Sequence, residues 1–146
     1  MNRREAGAAL VSAAAALLAL PLALPAEAMQ TSRPRAQGTP VQTLMQEPLA
    51  PMPDAEVSVI TLTLPPGNHS HPHEHTGPVF AYILKGEIEN QVEPQPPRTY
   101  RQGQYFYEPP MHEHKIFRNL SKTETAEVLV FQVGQKGKRF TIPLPR

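Results

Sequence analysis

Past residue 53 the chain offers only short runs of β-forming residues, each closed by a turn, and no stretch sustains the 3.6-residue period of a helix. "VSVITLTL" (57–64) alternates apolar and hydroxyl side chains, "VFAYIL" (79–84) is continuously apolar, and "EIENQV" (87–92) alternates again. "QYFYE", "KIF", "EVLVFQV" (127–133) and "RFTI" complete the set, with "PPGN", "TGP", "KG", "PQPP", "RQG" and "GQKG" between them. Short strands at close spacing, in a chain with 18 prolines, predict an all-β fold: an antiparallel jelly-roll barrel or sandwich with no helix longer than about two turns.

The start of the chain reads differently. "MNRRE" is basic, Ala6 to Leu24 is apolar and uncharged, and "AEA" (26–28) has the small-x-small form of a signal-peptidase site. Residues 1–28 therefore read as a secretory signal, which makes the mature protein periplasmic or secreted, with no stable membrane anchor after its removal. The pair Arg3-Arg4 fits a twin-arginine signal, but the bulky hydrophobic pair usual after it is missing, so the general secretory route stays open. Residues 29–52 are rich in Pro, Gln, Ser and Thr and read as a tether or an edge-covering arm; 53–146 is the folded domain.

Removing residues 1–28 takes away Arg3, Arg4, Glu5 and Glu27 and leaves a net charge of +1, which argues against nucleic acid as a partner. A small-molecule ligand or substrate is expected instead, and a homodimer is compatible with the sequence. The absence of cysteine excludes disulfides, thiolate nucleophiles and Cys-type zinc sites, so any metal must be held by nitrogen and oxygen.

All six histidines lie in two clusters: His69, His71, His73 and His75 in "NHSHPHEH", and His112 and His114 in "MHEHK". Clustered imidazoles about 37 residues apart point to one shared metal site, with a loosely binding His-rich loop as the alternative. Residues i and i+2 of a strand share a face, but His69 to His75 would span roughly 20 Å if extended, too far for four ligands around one ion.

The pattern resembles the cupin family, specifically a small single-domain bacterial cupin of type 2, with an RmlC-like jelly roll. The first cupin motif runs Gly, five residues, His-x-His, three or four residues, Glu, six residues, Gly. Here Gly67 is followed at those spacings by His73-Glu74-His75, Val79 and Gly86. The second runs Gly, five residues, Pro-x-Gly, two residues, His, three residues, Asn. Here it reads Gly103, Pro109-Pro110-Met111, His114 and Arg118, with Asn119 one place late. The resemblance spans residues 53–143.

It implies a metal held by His73 and His75 from one strand and His114 from a facing strand. The ion would be a divalent transition metal, Fe(II) first, with Ni, Mn, Zn or Cu as alternatives. His69 and His71 are expected at the rim, as solvated residues, a weak second site or substrate contacts. His112 either replaces or supplements His114, or stands aside. Met111 occupies the place of a turn glycine.

The main departure is Val79, where cupins present a glutamate to the metal. Glu74 and Glu113 alternate to the opposite face, so the expected ligand set is three neutral imidazoles around an ion with its full +2 charge. Val79, Ala81 and Ile83 share one face and predict an apolar pocket wall. Tyr105 and Tyr107 share a face opposite to Phe106, with either one inward. The implied function is a metal-dependent oxidoreductase of dioxygenase type acting on a small anionic or enolic molecule. The alternatives are a non-catalytic ligand-binding module or a metal buffer.

Overall fold

The computed structural model describes residues 38–50 and 52–145; the expected signal over 1–28 and the start of the arm lie outside them. Ten strands form two antiparallel sheets. The first sheet has the order β1 (Val41–Pro48), β2 (Ala55–Leu64), β9 (Ala126–Gln135), β4 (Val79–Lys85), β7 (Tyr105–Glu108). The second has the order β10 (Thr141–Pro143), β3 (His73–His75), β8 (His114–Asn119), β5 (Glu87–Val92), β6 (Arg98–Arg101). No helix occurs among the described residues, and the architecture is the jelly-roll sandwich the sequence predicts.

The period-two pattern of the strands decides what faces inward. Along β4, Val79, Ala81 and Ile83 are buried while Phe80 and Tyr82 are exposed. Along β5, Ile88, Asn90 and Val92 point inward. Val79, Ala81, Ile83 and Ile88 meet Leu64, Phe106, Phe117, Ala126, Val128 and Val130 between the sheets. Complete burial of Leu64, Ile83, Ile88 and Val128 contributes roughly 1.5–3 kcal/mol each.

One of the breaks in the ladders matters for the site. In the ladder between β5 and β8, Val92 faces His114 and Gln91 faces Ile116, so Lys115 is an extra, bulged residue. His114 therefore points inward and so do Phe117 and Asn119, while Arg118 points out to pair with Glu89. This explains why Asn119 stands one place late. Its side-chain NH2 donates to the carbonyls of Leu64 and Glu124 at 2.9 and 2.8 Å, and its Oδ1 accepts from the Ser121 N–H.

Two strands were not anticipated. Residues 41–48 of the arm form β1 on the edge of β2, with every residue exposed, and 98–101 form β6 beside β5. Met111, in the glycine position of the second motif, adopts φ 59°, and its N–H donates to the His75 carbonyl at 2.8 Å. The turn is thus kept with a side chain in the left-handed region, and it anchors the strand that carries two histidines.

Candidate metal centre

His73 and His75 share a face of β3, as their spacing requires, and His73 lies directly across the ladder from His114. His114 thus comes from the neighbouring strand of the same sheet rather than from a facing one. One side-chain nitrogen from each of the three can be chosen so that all lie within 4.8 Å of one another. The ring centroids of His73 are 4.8 Å from those of both His75 and His114.

Each ring is held by its other nitrogen. His73 Nδ1–H donates to the His71 carbonyl at 2.7 Å, and His114 Nε2–H donates to Asn90 Oδ1 at 2.5 Å. His75 Nδ1 faces Thr141 Oγ1 at 3.3 Å, and its ring stacks on Phe140. The first two bonds set the tautomers of His73 and His114 and leave His73 Nε2 and His114 Nδ1 as lone-pair donors, the usual outer support of metal-binding imidazoles, while the Thr141 hydroxyl supports His75 from its Nδ1 side. Burial lowers the His73 pKa to about 4; the His71 carbonyl opposes the shift, and the neighbouring His114 and His75 add to it. The ring is neutral at physiological pH, as a ligand must be.

A fourth group reaches the cluster from the opposite sheet. Glu108, on β7, is 3 % exposed, with its Oε2 3.2 Å from His75 Nε2 and 3.3 Å from His114 Nδ1. Burial pushes its carboxyl up, but His114 and then His75 outweigh that effect and hold it down to about 2. Although both contacts are within ion-pair range, neither is aligned as a hydrogen bond, and Glu108 Oε2 and His114 Nδ1 are left buried without a hydrogen-bond partner. His114 Nδ1, orphaned and grouped with a nitrogen each from His73 and His75, fits a divalent transition metal, and the orphaned Glu108 Oε2 lies beside two of the three imidazoles.

Glu108 escaped the sequence reading because alternation along "YFYE" sets which residues share a face but not which face is inward. In the structure Phe106 and Glu108 point in, while Tyr105 and Tyr107 point out.

The cluster opens on a cavity of about 590 Å³ walled by Ile60, Leu62, Val79, Ala81, Phe106, Phe117 and Val130, with Ser70 and Gln132 as polar members. Val79 and Ala81 are in that wall. Ile83 is not: it lies one step further along β4, wholly buried in the core. His69 and His71 are exposed and line the cavity. His112 is exposed, hydrogen-bonds the Pro110 carbonyl through Nδ1, and belongs neither to the cluster nor to the cavity lining.

Comparison with known proteins supports the fold. No curated protein sequence matches the chain. Among solved structures, DMSP lyase DddQ from Ruegeria pomeroyi DSS-3 is 23% identical with a TM-score of 0.59, over 74% of this chain and 54% of that one. The chain thus spans about half the length of that lyase. A protein with a double-stranded β-helix domain from Klebsiella pneumoniae is 18% identical, TM-score 0.57, over 77% of this chain and 90% of its own. Oxalate decarboxylase from Bacillus subtilis is 20% identical, TM-score 0.54, over 60% of this chain and 24% of its own. Residues 60–132, half of the chain, match the Cupin domain family. With that match, the two-sheet fold and the histidine pair of the first motif, the chain belongs to the cupin family.

Proposed function

We propose that the protein is an exported metal-dependent oxidoreductase of dioxygenase type, acting on a small anionic or enolic molecule. The observation that carries this reading is the convergence of three oriented imidazole nitrogens at one end of an apolar-walled cavity large enough for a small organic substrate. A divalent ion there, Fe(II) first and Ni, Mn, Zn or Cu as alternatives, supplies a Lewis acid with open positions for an anionic oxygen ligand and, as iron, redox chemistry toward dioxygen.

The chain's own residues do the rest. Ile60, Leu62, Phe106 and Val130 take the apolar body of the ligand and exclude water. Ser70 Oγ, buried without a hydrogen-bond partner, and the Gln132 amide offer polar contacts in the same cavity. His69 and His71 line its exposed rim, where their ring N–H groups can meet an incoming anion. A lyase and a decarboxylase among the structural neighbours, at 23% and 20% identity, lend the fold; the reaction class rests on the cavity and its donors.

The test is metal analysis of protein recovered from the periplasm, joined to oxygen-uptake assays on a panel of enolates, catecholates and small carboxylates. About one equivalent of iron, lost in His73→Ala, with oxygen uptake on a panel member, supports the reading. Recovery from the cytoplasm alone overturns the export part. Stoichiometric metal retained by His73→Ala overturns the site, and full metal without turnover in any assay favours a non-catalytic ligand-binding module.

A further inference from the structure

We propose that Glu108 is the fourth protein ligand of the metal centre, supplying from β7 the carboxylate that the first cupin motif would carry at position 79. The inference rests on the metal-centre reading above. Val79 and Glu108 are direct partners across the antiparallel β4–β7 ladder, so their side chains emerge side by side on the inner face, with Cβ atoms about 5 Å apart. A carboxylate rooted at either position can reach the same point between the sheets. With valine at 79 the space beside Glu108 holds only a short, branched, non-coordinating side chain.

Distance and alignment separate a ligand from an ion pair. Around an ion with bonds of about 2.1 Å, neighbouring donor atoms stand about 3.0 Å apart in octahedral and 3.4 Å apart in tetrahedral geometry. Glu108 Oε2 stands 3.2 Å from His75 Nε2 and 3.3 Å from His114 Nδ1. A proton shared along either line would need an aligned N–H, and neither contact has one. The Asn90 bond commits the ring proton of neutral His114 to Nε2, which leaves Nδ1 and the carboxylate as two lone-pair donors turned towards each other. A cation between them satisfies both. The consequence is a centre with three nitrogens and one carboxylate oxygen, whose net charge with a divalent ion is +1 rather than the +2 expected for three imidazoles alone.

Co(II) is the probe, its affinity measured by competition with a chelator at constant pH on the full described domain. Glu108→Gln is expected to bind Co(II) at least tenfold more weakly than the wild type. The exchange variant, Val79→Glu with Glu108→Val, returns the carboxylate from the other strand and is expected to recover most of that affinity, which a merely structural role at 108 would not produce. Glu108→Gln within twofold of the wild type, or an exchange variant no tighter than Glu108→Gln, overturns the assignment. Where the variants do not fold, infrared difference spectra of the wild type decide: a carboxylate band that shifts on Co(II) loading supports the proposal, and no carboxylate change overturns it. A wild type that takes up no Co(II) brings down the metal-centre reading itself, an outcome distinct from loss of the Glu108 assignment alone.

Discussion

Asn90 and Met111 show how single residues outside the histidine cluster set its geometry. Asn90 is 5 % exposed and accepts the His114 Nε2–H, which fixes both the tautomer and the ring plane. Asn90→Ala is expected to leave the fold intact and weaken metal affinity about 10–100-fold, the usual effect of losing such outer support, as read by chelator competition. Met111 carries a side chain at φ 59°, where an L-residue costs about 1–2 kcal/mol relative to the right-handed region. Met111→Gly relieves that strain but frees the unfolded chain, so a net gain of about 0.5–1 kcal/mol is expected in urea unfolding.

Strands β8 and β1 carry consequences of a different kind. The bulge at Lys115 is what lets His114 and Asn119 both face inward although an odd number of positions separates them. Deleting Lys115 makes that number even, so plain alternation keeps His114, Phe117 and Asn119 inward without a bulge, and only the surface pairing of Lys115 with Glu93 is lost. The denaturant midpoint of the metal-free protein is therefore expected to change little, and a collapse of the fold would show that the bulge itself holds β8 in place. β1 packs no buried side chain, yet the segment that leads into it places Gly38, Thr39 and Val41 on the cavity. Truncation of residues 1–48 is therefore expected to leave a folded domain, by circular dichroism, with weaker ligand binding and an unprotected β2 edge.

The two buried groups with shifted pKa values make the stability of the whole metal-free domain depend on pH in one direction. His73 has a folded pKa of about 4 against its ordinary 6.5, so between those values the unfolded chain binds a proton the folded one does not. Stability from this group is present above pH 6.5 and is lost as pH falls to 4. Glu108 has a folded pKa of about 2 against 4.5, so its contribution is present above pH 4.5 and is lost as pH falls towards 2. The thermal midpoint of metal-free protein is expected to decline continuously from pH 6.5 downwards, and His73→Gln is expected to flatten the part between 6.5 and 4. A midpoint that holds or rises on acidification would contradict the burial of His73 and the hold of His114 and His75 on the Glu108 carboxyl.

What the sequence by itself determined is local. Alternation over 57–64, 79–84 and 87–92 defined strands that the structure reproduces within a residue or two, because side-chain parity follows from backbone pleating alone. The same parity put His73 and His75 on one face and set Val79 and Ala81 together as an apolar wall, and motif spacing brought in His114. Relations between strands distant in the chain were decided only by tertiary structure. β6 and the exposed β1 have too little burial to show a pattern, so only pairing with β5 and β2 reveals them. The bulge at Lys115 exists only relative to β5, and Ile83 leaves the cavity wall because the core closes over it. Glu108 is the clearest case. "YFYE" permits two tyrosines inside or one phenylalanine and one carboxylate inside, and that choice was made when β7 paired with β4 and turned Glu108 towards His75 and His114 on the other sheet. A buried carboxylate is costly unless suitable groups meet it there, and the groups that meet Glu108 come from strands far away in sequence.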